Sequence, residues 1–116
     1  MGSGLKWFDR KNRKLVDANL TMENGKNFNN SQVNYIVETL EGNLMLATRE
    51  GVLIYDRQAN RLINYYQREQ SCGLSENTII SLYRDKANNI WIGTYGGGVN
   101  LYTPYSNFFI PHKPEY

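Results

Sequence analysis

The sequence repeats itself at a spacing of 46 to 47 residues. Residues 43–55 (NLMLATREGVLIY) align with residues 89–102 (NIWIGTYGGGVNLY) at an offset of 46, which becomes 47 after one extra glycine in the second copy. A partial copy opens the chain, where residues 4–15 (GLKWFDRKNRKL) align with residues 51–62 (GVLIYDRQANRL) at an offset of 47. The chain is therefore a repeat protein, and its period limits the possible architectures.

A period near 47 residues fits either a solenoid of paired helices or a four-stranded propeller blade. Each unit contains short segments rich in Val, Ile, Tyr and Trp, which are separated by Gly, Asn or Asp. No segment keeps a helical apolar stripe over the roughly ten positions that a solenoid helix needs. We predict an all-β fold, a β-propeller fragment of about two and a half four-stranded antiparallel blades.

The repeat also predicts how the chain is divided into units. Residues 1–4 are interpreted as a cloning remnant, 5–20 as the C-terminal half of a blade, 27–66 as a complete blade, 73–111 as a complete or nearly complete blade, and 112–116 as a tail. The predicted strands are Leu5–Asp9, Lys14–Ala18, Val33–Thr39, Leu44–Thr48, Val52–Asp56, Leu62–Tyr66, Ile79–Arg84, Ile90–Thr94, Val99–Tyr102 and Phe108–Pro111.

The glycine run at residues 96–98 has two possible explanations, a phosphate-binding loop or a hairpin turn. A phosphate loop needs Lys followed by Ser or Thr at the start of a helix, whereas this run leads into the strand-like VNLY. The hairpin is favoured. A second hairpin is predicted at Asn88–Asn89, with Glu41–Gly42 at the same place one unit earlier, because Asn and Gly tolerate the left-handed conformation of tight turns.

Trp91 and Met45 occupy the same position in successive repeats. A large apolar side chain there is expected to fill the space between neighbouring blades or within the sheet, which stabilises the stack by roughly 2 to 3 kcal/mol. A Trp in a ligand cleft is the alternative for Trp91. The recurrence of a large apolar residue at this position favours packing.

Residues 73–104 (GLSENTIISLYRDKANNIWIGTYGGGVNLYTP) resemble the two-component regulator propeller repeat. They share its Gly-Leu-Ser opening, an Asp before the hairpin, a Trp-Ile-Gly-Thr strand and a glycine run before a strand that ends in Tyr. The middle unit is similar, with Thr39 in place of the Asp and Ala47 in place of the Gly. The resemblance implies the periplasmic sensor region of a bacterial hybrid two-component system, an oligosaccharide ligand, and a kinase module elsewhere in the parent polypeptide.

Two and a half units make about ten strands, whereas a closed propeller has about four to eight blades of four strands. We therefore interpret the chain as a fragment of a longer sensor. Alternatively, copies of the chain self-associate through open blade edges, because an unpaired strand edge invites pairing. A structural module of this kind would not need a ligand. A propeller lyase or glycosidase fragment is the third alternative.

Composition and single residues exclude several other functions. A net charge of +2 is too small to indicate a nucleic-acid partner, and no stretch reaches the length of a membrane span. Cys72 and His112 are the only residues of their types, which is too few for a zinc site, and nothing in the sequence aligns them as a catalytic pair. Asp85 and Glu41 lie near hairpins of different units, which leaves a general acid/base pair as an alternative, but Asp85 is expected to accept backbone hydrogen bonds in its turn. We predict no catalytic residue, cofactor or metal.

Loops at one end of a blade stack are the usual place for a propeller ligand. The candidate contacts are Arg49, Glu50 and Tyr95, together with the polar connection at residues 21–32, which is expected to be a mobile link.

Overall fold

The computed structural model describes residues 6–9, 14–70, 72–103 and 109–112. These residues form ten strands and no helix: β1 (Lys6–Asp9), β2 (Lys14–Asp17), β3 (Val33–Glu38), β4 (Leu44–Thr48), β5 (Gly51–Asp56), β6 (Arg61–Tyr66), β7 (Ile79–Arg84), β8 (Ile90–Thr94), β9 (Val99–Tyr102) and β10 (Phe109–His112). Strand β3 ends one residue before its predicted end at Thr39. Strand β10 ends one residue after its predicted end at Pro111. Phe108, the predicted start of β10, lies outside the described residues.

The strands form three sheets in sequence order. Strands β1 and β2 pair with each other, β3-β4-β5-β6 make one four-stranded sheet, and β7-β8-β9-β10 make another. Every pairing is antiparallel and joins strands that are consecutive in the chain. The prediction of an all-β fold with four-stranded antiparallel units is confirmed.

Burial along the second strand of each four-stranded sheet shows how the sheets stack. All five residues of β4 are buried, whereas burial alternates along β8, with Trp91 and Gly93 partly exposed. Successive side chains of a strand point to opposite faces of its sheet. The β3–β6 sheet is therefore covered on both faces, and the β7–β10 sheet is covered on one.

The two faces of the β3–β6 sheet contribute to two separate cores. Met45 and Ala47 point towards the β7–β10 sheet and pack in a cluster with Ile79, Ile90 and Ile92. This position of Met45 confirms the predicted packing role between units. The other face packs in a second cluster with the segment that precedes β3; its members are Ala18, Leu20, Phe28, Leu44, Leu46, Leu53, Tyr55 and Leu62.

The first hairpin of each four-stranded sheet has a three-residue loop, which corrects the expected two-residue turn at Asn88–Asn89. The amide of Asp85 donates to the carbonyl of Asn89 at 2.9 Å, and the amide of Asn88 donates back to Asp85 at 3.0 Å. Asn88 has a φ of 67° and its repeat equivalent Gly42 a φ of 87°. A type I turn followed by one left-handed residue is a common three-residue hairpin, so a single Asn or Gly meets its requirement.

The connection before β3 forms a turn of its own that packs on the second core, and the expected mobility of residues 21–32 stays a prediction. Thr21 forms a bridge with Asn27, and the amide of Phe28 donates to the Leu20 carbonyl at 2.7 Å. Leu20 and Phe28 are buried in the second core. The Asn29 side chain accepts a hydrogen bond from the Leu20 amide at 2.8 Å and so closes the turn. The buried side chains of Leu20 and Phe28 hold this turn on the core.

Candidate ligand-binding cleft

The β4–β5 turn holds Arg49 at one end of the β3–β6 sheet. Thr48 Oγ1 accepts a hydrogen bond from the Glu50 amide at 3.0 Å and donates to the Gly51 carbonyl at 2.9 Å. Gln67 Nε2 donates to the Glu50 carbonyl at 2.9 Å. These bonds fix the backbone of the turn on both sides of Arg49, whose side chain is exposed.

The β8–β9 turn places Tyr95 at the same end of the next sheet. Thr94, the repeat equivalent of Thr48, donates from Oγ1 to the Gly98 carbonyl at 2.7 Å and accepts from the Gly97 amide at 3.1 Å. The Tyr95 amide donates to the Thr78 carbonyl at 2.9 Å, and the Tyr95 side chain is 73% exposed. The glycine run is thus a hairpin, as predicted, and a threonine braces each of the two turns.

A cleft of about 710 Å³ lies between these two turns. Its lining residues come from both sheets: Gln32, Asn34, Arg49, Thr78, Ile80 and Tyr95. They form three pairs at the repeat offset of 46, namely 32 with 78, 34 with 80, and 49 with 95. The cleft is therefore built from three repeat positions, each used once by each unit.

The two sides of the cleft differ in chemistry. The β3–β6 side carries two amides and a guanidinium, and the β7–β10 side carries a hydroxyl, an aliphatic group and a phenol ring. Asn34 Nδ2 donates to the Ile79 carbonyl at 2.8 Å, and Gln32 Nε2 donates to Asn34 Oδ1 at 2.9 Å. The amides are therefore oriented by the protein, while Ile80 and Tyr95 remain exposed.

Two of the three candidate ligand residues line this cleft, and the third does not. Glu50 is outside the lining, and its carboxylate accepts a hydrogen bond from Ser31 Oγ at 2.7 Å. Of residues 21–32, Gln32 alone reaches the lining. Sequence reasoning missed Asn34, Thr78 and Ile80. The repeat offset was the available signal, since it relates both Asn34 and Gln32 to residues across the cleft.

A smaller cleft of about 210 Å³ lies at the opposite end of the strands. It is lined by Thr39, Glu41, Asn43, Ile54, Ile63, Asn64, Tyr66 and Tyr102. Burial of the Tyr66 hydroxyl raises its pKa far above the usual value, and the neighbouring Tyr102 is the second largest cause of this rise. The Tyr66 hydroxyl accepts a hydrogen bond from Asn64 Nδ2 at 3.0 Å, and its ring packs against Phe109 of the next sheet.

Trp91 lines neither of these clefts. Its indole N–H donates to Asp85 Oδ2 at 3.0 Å, and Asp85 Oδ1 accepts from the amides of Ala87 and Asn89. These hydrogen bonds hold the pKa of Asp85 below its usual value, and the bond from the Trp91 indole has the largest effect. The prediction that Asp85 accepts backbone hydrogen bonds in its turn is confirmed.

The described residues contain no cluster of three or more histidine, cysteine or acidic side chains that could hold a metal ion. Cys72 is buried, and its thiol contacts the Gln67 carbonyl at 3.4 Å. No helix with the length and apolarity of a membrane span occurs in the part of the chain that the structure describes.

Comparison with known proteins identifies the repeat and its fold. Residues 73–96 match the family model of the two component regulator propeller. No curated protein matches the chain. Among solved structures, one similar chain is described as the extracellular domain of the hybrid two component system BT4673 from B. thetaiotaomicron, with a TM-score of 0.74, 21% identity and 91% of this chain covered.

A second solved structure, the extracellular domain of the hybrid two component system BT3049 from the same organism, has a TM-score of 0.69 and 26% identity over 85% of this chain. This chain spans 15% of the length of the first solved chain and 13% of the second. The chain thus contains a two-component regulator propeller repeat, at residues 73–96, within a propeller-type fold.

Proposed function

We propose that the chain is a non-catalytic part of a ligand-sensing propeller domain in a hybrid two-component signalling protein. In this proposal, the cleft between the two four-stranded sheets binds part of an oligosaccharide. The contrast between the two sides of the cleft carries the proposal, because one side offers oriented polar groups and the other an exposed aromatic ring.

A pyranose ring has the same two-sided character as this cleft. Its C–H face packs on aromatic rings, and its hydroxyl groups exchange hydrogen bonds with amides and guanidinium groups. Tyr95 presents such a ring, and Gln32, Asn34 and Arg49 present the donors. A pocket of 300 to 1,000 Å³ is typical for small ligands, so a cleft of about 710 Å³ has room for a short saccharide.

The similar solved structures support a proposed setting for the chain. Both are described as extracellular domains of hybrid two component systems. We infer a periplasmic or extracellular position for this part of the parent protein and a kinase module elsewhere in the same polypeptide. The propeller would then report ligand binding, and the chemistry of phosphoryl transfer would occur outside this chain.

Isothermal titration of the purified chain with a panel of neutral and acidic oligosaccharides tests the proposal. At least one oligosaccharide should bind, and Tyr95→Ala should weaken its affinity by about tenfold, which corresponds to about 1.4 kcal/mol of lost stacking. Tyr35→Ala is the matched control, because Tyr35 is also an exposed tyrosine and does not line the cleft. Absence of binding across the panel, or equal affinity of the Tyr95→Ala variant, would contradict the proposal.

A second candidate function, assembly, is supported by an apolar row on the outer face of the β7–β10 sheet. Tyr83 pairs with Trp91, Trp91 with Leu101, and Leu101 with Ile110. The four side chains therefore cross the sheet side by side, with Tyr83 65% and Ile110 52% exposed.

The repeat indicates what would cover the outer row. The equivalent row of the β3–β6 sheet runs through Val37, Met45 and Ile54, and it is covered by the inner face of the next sheet. We propose that a second copy of this chain supplies a further sheet of the same repeat type in solution. Continuity with the existing contact between sheets is the argument for this occupant.

Light scattering during size-exclusion chromatography tests assembly. A discrete oligomer should form as concentration rises, and Ile110→Lys should shift it towards monomer because the added charge lies in the apolar row. Gln58→Lys is the control, since it adds the same charge at an exposed turn outside the row. A monomer at all concentrations would contradict assembly and leave the ligand-binding proposal intact.

A further inference from the structure

Among the described residues that line the large cleft, Arg49 alone carries a formal charge. We propose that the ligand is an acidic oligosaccharide, whose carboxylate or sulfate group binds Arg49 while its sugar ring stacks on Tyr95. This inference rests on the proposed function and adds the charge class of the ligand to it. Arg49 and Tyr95 occupy the same repeat position, and in this inference one binds the anionic group while the other stacks on the sugar ring.

The position of Arg49 suits it to bind an anion. The turn on which it lies is fixed by Thr48 and Gln67. Its guanidinium makes no hydrogen bond or ion pair within the described residues, whereas Arg57 pairs with Glu38 and Arg84 donates to the Glu38 carbonyl. The Arg49 donors therefore remain available in a cleft whose backbone is already ordered.

Two acidic residues beside the two turns, Glu50 and Glu76, have hydrogen-bond partners of their own. The Glu50 carboxylate accepts the Ser31 hydroxyl bond. The Glu76 carboxylate accepts a hydrogen bond from the Asn77 amide at 2.8 Å, and neither acid is among the lining residues. Both carboxylates reduce the positive potential at a distance, but neither competes for the Arg49 donors by a direct contact.

Guanidinium chemistry selects for a planar or tetrahedral oxyanion. Arginine presents parallel N–H donors that match two oxygens of one carboxylate or sulfate, and such paired, charge-assisted bonds are stronger than bonds to a neutral hydroxyl. An arginine facing a neutral sugar would donate to hydroxyl groups that carry no opposite charge, so its bonds would lack this charge assistance. The geometry of one cation opposite one aromatic ring thus fits a uronic acid or a sulfated sugar better than a neutral one.

Matched ligands separate the charge of the sugar from its shape. We would titrate the intact chain with oligogalacturonate and with its methyl ester, which has the same rings without the charge. A chondroitin disaccharide with and without its sulfate, compared as methyl esters of the uronate, forms the second pair and distinguishes sulfate from carboxylate. In at least one pair the acidic member should bind about tenfold more tightly, as expected for a charge-assisted bond, and the preference should shrink at high salt.

Arg49→Gln should abolish the preference for the acidic member, because glutamine keeps hydrogen-bonding capacity and removes the charge. Arg57→Gln is the control, since it removes an exposed arginine outside the cleft and should leave the preference unchanged. Equal affinity for both members of both pairs would overturn this inference while sustaining the proposed function. An unchanged preference in Arg49→Gln would overturn it as well, and absence of any saccharide binding would overturn the proposed function itself.

Discussion

The indole nitrogen of Trp91 donates a hydrogen bond to the carboxylate of Asp85 at 3.0 Å, and the repeat equivalents of these two residues are Met45 and Thr39. The unit that lacks the Asp therefore also lacks the Trp. Thr39 keeps a weaker role in its turn, where Oγ1 donates to the Asn43 carbonyl at 3.3 Å. The Asp and Trp of the propeller motif therefore act as one structural pair, which braces the first hairpin against the second strand.

Acid should destabilise the chain partly through Asp85. Its pKa in the folded state lies below the ordinary value, so the ionised form is the one that the fold stabilises. This contribution is present above the ordinary aspartate pKa of about 3.9 and is lost as pH falls through that value towards the folded pKa. Urea denaturation of the parent chain should therefore show a lower midpoint at pH 3 than at pH 7, with part of the loss due to Asp85.

Asp85→Asn isolates that part, because asparagine cannot titrate. The difference in midpoint between the parent chain and Asp85→Asn should be larger at pH 7 than at pH 3. Glu69 also has a pKa below its ordinary value, owing first to its hydrogen bond from Asn77, so acid sensitivity will remain in the variant. A difference that stays constant across this pH range would contradict the role assigned to Asp85.

Exchanging the side chains at the repeat position of Trp91 and Met45 should have unequal effects. Met45 is fully buried between the two four-stranded sheets, so Met45→Trp must displace neighbours and should cost about 1–3 kcal/mol. Trp91 is partly exposed on the outer face, where Trp91→Met loses the hydrogen bond to Asp85 and leaves a gap open to solvent but displaces no neighbour. Denaturation midpoints should fall further for Met45→Trp than for Trp91→Met, and the reverse order would contradict the assignment of the two faces.

Gly73 should be far less tolerant of alanine than Gly42. Both have positive φ values, 86° and 87°, so alanine costs about 1–2 kcal/mol at either position. A Cβ at Gly42 would meet no atom within 4 Å, whereas at Gly73 it would collide with the Phe109 carbonyl. Gly73 lies this close to β10 because the Phe109 amide donates to the Cys72 carbonyl at 2.7 Å. Chemical denaturation should show an additional loss of about 1–3 kcal/mol for Gly73→Ala, and equal losses would refute the close approach.

Much of the fold could be predicted because two independent signals agreed. Short apolar segments predicted the strands, and the offset of 46 to 47 residues assigned them to units. The same offset held a signal for the first hairpin, because it relates Asn88 to Gly42 and both residues have a positive φ. The expectation of a two-residue turn at Asn88–Asn89 did not use this relation.

The candidate cleft was predictable in part. Loop position alone suggested Arg49 and Tyr95, and they do line it. Asn34 and Ile80 lie in strands, and strand alternation alone does not say which polar or apolar residue reaches the gap between two sheets. That depends on how the sheets are tilted and stacked, which is set by core contacts such as those of Met45 with the next unit. The sequence pattern of one unit contains no information on this tilt.

The hydrogen bond between Ser31 and Glu50 should couple the connection before β3 to the turn that bears Arg49. Ser31 is 4% exposed, and its hydroxyl donates to Glu50 Oε2 at 2.7 Å. Ser31→Ala and Glu50→Ala should each destabilise the chain by roughly 0.5–1.5 kcal/mol, the usual net value of one hydrogen bond.

A double-mutant cycle separates this bond from other effects of the two substitutions. Because either substitution alone breaks the bond, the double variant should lose less stability than the two single losses combined, by at least about 0.5 kcal/mol. Ser31→Ala combined with Gln58→Ala is the control pair, since Gln58 lies in the distant β5–β6 turn. Additivity within about 0.3 kcal/mol for both pairs would show that the connection and the Arg49 turn are independent, and the turn would then owe its order to Thr48 and Gln67 alone.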